Sequence, residues 1–326
     1  MWISLLERLF QALVVMLVMT ILVFVGVNVI GNPVDILVAP DADQAERWRV
    51  IQQLGLDQPL FVQYLGFLRN ALGGSLGKSY VFNEPALRVI VERLPATLEL
   101  ALGATLISIA VGVPLGLYAG LRARSWSGKA IMGGSILGFS LPTFWVGLML
   151  ILVFAVELGW LPSGGRGETA ELMGVQWSFL TRDGLAHLIM PAVNLALFHT
   201  ALVLRLTRTG VREALPQDYV RYARARGLAE RRVVGVHILK NIMIPVVTIV
   251  GLEFGSTIAF SVVTESIFAW PGMGKLIIDS INVLDRPVML AYLMMIVVLF
   301  VTINLAVDIL YTLLDPRVRL GTRRSA

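Results

Sequence analysis

The sequence predicts an all-α polytopic membrane protein with six transmembrane helices and a helical external segment between the first two. Three observations carry this expectation. Charged residues make up only 15% of the 326 positions and hydrophobic residues 56%, where a soluble globular chain holds roughly 25% charged residues. Mean hydropathy is +0.77. The apolar residues also fall in long blocks, which is the signature of the bilayer. Cysteine is absent, which excludes disulfides, thiolate metal sites and cysteine nucleophiles.

An apolar stretch of about 20 residues crosses the hydrocarbon core as a helix. Such stretches occupy 9–30, 97–121, 131–158, 187–206, 241–263 and 288–314. The first is long for the core of a cleaved signal, and no small-x-small site follows it, so it reads as a retained signal-anchor. Orientation follows from lysine and arginine in the short loops. Arg122, Arg124 and Lys129 lie between the second and third stretches, and seven arginines from Arg208 to Arg232 lie between the fourth and fifth. Arg317, Arg319, Arg323 and Arg324 lie in the tail. The opposite loops carry only Arg166 and Arg182 in one, Lys275 and Arg286 in the other. Both termini are therefore expected on the cytoplasmic side of the membrane. The net charge of +5 is then a topology signal, with no nucleic-acid partner implied.

The segment 31–95 reads as external and folded. Asp57-Gln58-Pro59 opens a helix with Leu60, Tyr64, Phe67, Leu68 and Leu72 at helical spacing, and Asn83-Glu84-Pro85 opens another, expected to end near Leu94-Pro95. The expected organisation is a cytoplasmic N-terminus and first helix at 1–30, the external segment at 31–95, a five-helix core at 96–314 with a cytoplasmic loop at 207–240, and a tail at 315–326. Pro114, Pro142, Pro191 and Pro245 are candidate kinks, read mainly as packing features.

Gly73-Gly74-Ser75-Leu76-Gly77-Lys78-Ser79 imitates a phosphate loop. That loop needs four residues between its first glycine and Gly-Lys; here the required position is Leu72. The segment is also expected outside, where ATP is scarce, so the chain is expected to bind no ATP and no other cofactor itself. His187, His199 and His237 form no zinc pair, and no Gly-x-Ser-x-Gly elbow is present. No catalytic or metal residue is assigned.

The loop from Gln217 is the informative region. Tyr219, Val220, Tyr222, Ala223, Val233, Val234 and Val236 are too apolar for a freely solvated basic loop, and Gly227 divides two helix-forming stretches. A short amphipathic elbow on a membrane protein is a docking knob. On the fifth stretch, Gly251, Gly255 and Ala259 form a small face for close packing. Glu253, Ser256, Thr257, Phe260 and Thr264 cluster on another, and a carboxylate at that depth marks a cavity or an internal basic partner. Asn304, Asp308 and Thr312 share a face of the sixth stretch, where Asp308 reads as pairing with Arg205 or a loop arginine.

The chain resembles the permeases of dipeptide/oligopeptide ABC importers along nearly its whole length. The resemblance rests on Leu54-Gly55-Leu56-Asp57-Gln58-Pro59, Glu92-Arg93-Leu94-Pro95-Ala96-Thr97-Leu98-Glu99, Ser140-Leu141-Pro142-Thr143-Phe144-Trp145, Tyr222-Ala223-Arg224-Ala225-Arg226-Gly227, Phe268-Ala269-Trp270-Pro271-Gly272-Met273-Gly274 and Leu314-Asp315-Pro316-Arg317-Val318-Arg319, in that order. It departs from the broader importer motif where Arg221 stands at the position of the leading Glu and Lys240 at that of a Pro. The resemblance implies a type I ABC importer permease fold and a homologous second permease. It also implies two ATPase subunits that bind ATP and Mg, an external solute-binding protein, and a peptide or related solute moving through lipid-embedded helices. Tyr219, Arg221, Tyr222, Ala223, Arg226, Gly227, Leu228 and Arg231 would then couple to the ATPases, and Glu253, Ser256, Thr257 and Phe260 would line the pathway. The rival reading is a secondary transporter or channel without ATPases, a class that favours paired repeats, and no repeat is visible. A membrane enzyme or scaffold finds no supporting constellation. Dipeptides, longer peptides, glutathione, opines and nickel all remain open as cargo.

Overall fold

The computed structural model describes residues 2–30, 34, 38, 43–53 and 55–314. Eleven helices are described: α1 (Trp2–Ile30), α2 (Gln44–Gln53), α3 (Leu60–Leu72), α4 (Ala86–Leu121), α5 (Trp126–Ser140), α6 (Thr143–Glu157), α7 (Arg182–Ala214), α8 (Asp218–Ala225), α9 (Glu230–Ile267), α10 (Met273–Asn282) and α11 (Arg286–Leu314). Strands β1 (Ala170–Leu172) and β2 (Val175–Trp177) form an antiparallel hairpin in register Ala170↔Trp177. Among the described residues, α4, α7, α9 and α11 are long and apolar enough to cross a membrane, and α5 with α6 makes a bent fifth candidate. The apolar run described within α1, Leu13–Gly26, is shorter.

Two expectations need correction. The stretch 131–158 is not one helix: α5 and α6 meet at a 101° bend. Leu141, before Pro142, is extended at φ −77° and ψ 134°, the conformation that the proline ring favours in the residue before it. Conversely, the helix opened at Pro85 does not end near Pro95 but runs on to Leu121. Ile90, Ala96, Leu100, Ala101 and Ala104 are all buried, and this packing outweighs the one backbone hydrogen bond the proline removes. Pro114, Pro191 and Pro245 likewise sit within continuous helices.

The chain divides into two compact units, Met1–Thr97 with Pro271–Val301, and Leu98–Trp270 with Thr302–Ala326. In the first, α3 packs on α1. Phe24 meets Tyr64 edge-on at 5.4 Å and stacks on Phe67 at 5.8 Å, while the Thr20 hydroxyl and Tyr64 OH lie 2.8 Å apart. The imitation phosphate loop has a different task here. Gly77, at φ +91°, leaves a Cβ position only 3.2 Å from Pro287. Beyond it the Ser79 hydroxyl and the amides of Tyr80 and Val81 all donate to the buried Asp285 carboxylate, the amides at 3.2 and 3.3 Å. The anion cradled by these donors is a side chain of the same protein. Burial pushes the Tyr80 phenol above its ordinary pKa. Farther along, the Met273 amide donates to Thr97 Oγ1 at 2.8 Å, fixing the start of α10.

The second unit is built around α7. Gly112, Gly116 and Gly120 of α4 face it at four-residue spacing. A Cβ at Gly116 would fall 2.5 Å from the Leu204 carbonyl, and one at Gly120 2.7 Å from Val211. Such small-residue seams let helix backbones approach closely where lipid offers no hydrophobic drive to association. On other sides α7 stacks Phe198 on Phe139 of α5 at 4.7 Å and donates from Asn194 to Thr264 of α9 at 3.0 Å. Gly251 of α9 lies against Val307 of α11, which leaves a Cβ only 2.6 Å.

Candidate functional site

The elbow between α7 and α9 is built by one helix stop. In α8 the Gly227 amide donates to the Arg224 carbonyl at 2.9 Å and the Leu228 amide to the Ala223 carbonyl at 3.3 Å. These paired bonds satisfy the last carbonyls of a helix whose next residue turns left-handed. Gly227 is that residue, at φ +75°, with open space where a Cβ would sit, so backbone conformation rather than crowding demands glycine. The inner face of the elbow is core: Val220, Ala223, Val233, Ile238 and Ile242 cluster with Val211 and Ala214 of α7, and Leu228 packs against them. α8 and the start of α9 are thereby welded to the C-terminal end of α7.

The outer face is open. Tyr219, Arg221, Tyr222, Arg226, Gly227 and Arg231 are exposed, Tyr222 at 64%. Arg226 lies over the Tyr222 ring at 5.6 Å. Arg224 bridges to Glu230 across the Gly227 turn at 2.5 and 3.2 Å, and that hydrogen bond raises the guanidinium pKa further above its ordinary value. Soon after the turn α9 winds as a π-helix over Val233–Leu239, a form that is frequent at functional sites. Of the eight residues assigned to coupling, Ala223 is buried and Leu228 half-buried, and the other six face outward.

A second constellation lies midway along α7 and α9. Glu253 and Ser256 are half-exposed and Phe260 is 77% exposed. Thr257 does not share that exposure: it is buried, with its hydroxyl 2.8 Å from the Glu253 carbonyl and 2.9 Å from His199 Nε2. His199 Nδ1 lies 3.8 Å from Glu253 Oε2. Arg205, farther along α7, sits over the Phe139 ring at 4.6 Å and donates to the Ala201 carbonyl at 3.2 Å. The Asp308 and Thr312 side chains lie outside the described residues, as do the first part of segment 31–95 and the tail 315–326.

Glu99 of α4 is a different kind of carboxylate. It is buried and accepts four hydrogen bonds: Arg166 Nε at 3.2 Å and Nη2 at 2.9 Å, the Ser178 hydroxyl at 2.6 Å and the Phe179 amide at 2.7 Å. It ties α4 to the loop that carries the β-hairpin. No group of three metal-ligating side chains occurs among the described residues.

Residues 112–320 match the family of binding-protein-dependent transport system inner membrane components, and residues 1–101 match the N-terminal family of the same membrane components. The chain belongs to this permease family. The permease is 40% identical over 316 residues to the di/tripeptide transport system permease protein DppB of Pseudomonas aeruginosa strain UCBPP-PA14, covering 92% of this chain and 94% of that one. It is also 40% identical to the oligopeptide transport system permease protein AppB of Bacillus subtilis strain 168, covering 96% and 98%. A chain of the inward-facing MetNI methionine ABC transporter shares the fold at TM-score 0.54 and 16% identity, over 70% of this chain and 96% of that one. The protein is thus a peptide-related permease component of a binding-protein-dependent ABC importer of the inner membrane, and is not itself catalytic.

Sequence reasoning singles out the elbow and Glu253 but not the side chains that pack against them. His199 was passed over because it forms no motif; its partner lies 54 residues on, one helix away. The Arg166–Glu99 pair and the Ser79–Asp285 latch were missed for the same reason. For the first pair the signal available was an acid at the start of the apolar stretch 97–121 and one of two arginines in a base-poor loop.

Proposed function

We propose that this permease forms half of the translocation pathway for di- or oligopeptides or related small solutes, with a homologous second permease forming the other half. The elbow of α8, Gly227 and the start of α9 takes the stroke of two ATPase subunits, which bind the ATP and Mg. An external solute-binding protein delivers the cargo. Six spans with both termini in the cytoplasm fit the loop arginines and put the elbow on the ATPase side.

The observation that carries this reading is the two-sidedness of the elbow. Its inner face is continuous with the core of α7 and α9, so displacement of the knob moves the spans. Its outer face presents tyrosines and arginines that no described segment covers. A rigid lever with an uncovered end is what a mechanical input requires. Glu253, Ser256 and Phe260 then face the pathway, with Thr257 behind them.

The test is Gly227→Pro in proteoliposomes holding both permeases, the ATPases and the binding protein. Proline fixes φ near −65° and removes the amide bonded to Arg224, so the elbow is disrupted while the spans remain insertable. The expected outcome is an assembled complex whose ATP-dependent peptide uptake has fallen at least about tenfold, with ATPase activity uncoupled from binding protein. Uptake that persists without ATPases, or is unchanged by the substitution, favours a secondary transporter instead.

A further inference from the structure

We propose that His199 and Glu253 hold a single proton between them, and that this pair reads the charge of the transported solute by exchanging that proton for an ammonium group. The proposal rests on the reading of a peptide pathway along α9. It begins with a count of hydrogens. The Thr257 hydroxyl has one hydrogen, and the Glu253 carbonyl 2.8 Å away has none, so Thr257 donates there. At its other contact, 2.9 Å from His199 Nε2, the hydroxyl must therefore accept, and Nε2 carries a hydrogen. The remaining ring nitrogen, Nδ1, is buried without a hydrogen-bond partner and lies 3.8 Å from Glu253 Oε2.

With neutral imidazole and ionised carboxylate, two bare lone pairs would face each other in a low-dielectric setting. One added proton on Nδ1, pointing at Oε2, removes the conflict as imidazolium beside carboxylate. The pair is then neutral overall, which explains how an acid is tolerated halfway along an apolar helix. The surrounding walls offer no competing charge among the described residues. α4 contributes Thr105 and Ser108, whose hydroxyls donate within their own helix. α7 and α9 add only aliphatic side chains beside the pair and Thr257. Arg205 is turned onto Phe139. The cavity between them, about 10 Å³, has room for one water.

Glu253 is also the exposed member of the pair, at 34% against 12% for His199. A solute's ammonium reaches the carboxylate from the open side, the proton leaves Nδ1 for water, and the site stays neutral: one positive charge enters as one proton departs. His199 is thus a specificity-determining residue, because it stands in for the cation when the pathway is empty.

Two measurements on the assembled complex decide this. The first is nitrogen-15 NMR of histidine-labelled complex in nanodiscs, with His199 assigned as the signal lost in His199→Gln. The expected spectrum has Nε2 protonated throughout, and Nδ1 losing its proton at a lower pH once Glu253→Gln is introduced. A ring protonated at Nδ1 alone, or one indifferent to Glu253→Gln, overturns the shared proton. The second is uptake of one peptide with a free amino terminus against its N-acetylated form, at saturating binding protein. Glu253→Gln is expected to reduce the wild-type preference for the free amine by about tenfold, the worth of one charged hydrogen bond. An unchanged preference overturns the charge-reading role. Absence of ATP-dependent uptake by the wild-type complex defeats the transport reading instead, and the spectrum still decides the pair.

Discussion

Glu99 and Glu253 are both glutamates on long apolar helices, yet their surroundings assign them opposite tasks. Glu99 is sealed and accepts four hydrogen bonds, two from Arg166 and two from the adjoining loop. Glu253 is partly open and meets one imidazole nitrogen at 3.8 Å. A carboxylate whose lone pairs are all engaged is a structural rivet. One with acceptor capacity left over, on a partly open face, is available to a ligand. Hydrogen-bond saturation therefore separates the two where depth in the helix does not.

The comparison is broken most severely at Glu99. Glu99→Ala leaves Arg166 without its anion and should destabilise the permease by about 3–5 kcal/mol, read as a lower unfolding temperature in detergent. A loss no larger than that of an exposed residue would mean the network is ornamental. The Asp285 latch sharpens the contrast at a smaller scale. Ser79→Ala removes one of three donors from a buried carboxylate and should cost about 1–3 kcal/mol in the same assay. Smallest is Glu253→Gln, which is expected to change stability by no more than about 1 kcal/mol while altering solute preference, because it removes a charge that the fold does not depend on.

How much of this was legible in the sequence follows from the range of the interactions. Long helices were readable because hydropathy is a local sum: the stretches at 97–121, 187–206, 241–263 and 288–314 all fall inside described helices. The elbow was readable because Gly227 interrupts helix formers within a few residues. The 101° break at Pro142 was only half legible. Proline marked the spot, but whether a proline breaks a helix, as there, or is absorbed, as at Pro95 and Pro191, depends on packing from elsewhere in the chain. The hairpin Ala170–Trp177 escaped notice because its strands are only three residues long, and α10 because it is short and takes its burial from distant segments. The node residues were least legible, since Glu99 and Arg166 are 67 positions apart and His199 and Glu253 are 54 apart.

The latch between Ser79 and Asp285 has a consequence for how the protein is made. Its two halves are separated by 206 residues, and at about 5–20 residues per second of synthesis the second emerges roughly 10–40 s after the first. Through that interval the turn after Gly77 lacks the acid that organises it, although α3 and α4, which flank it in the chain, leave the ribosome well before Asp285. The turn between α3 and α4 is therefore among the last parts of this unit to set, and a ribosome stalled before Asp285 leaves a chain with its early helices made and that turn unfastened.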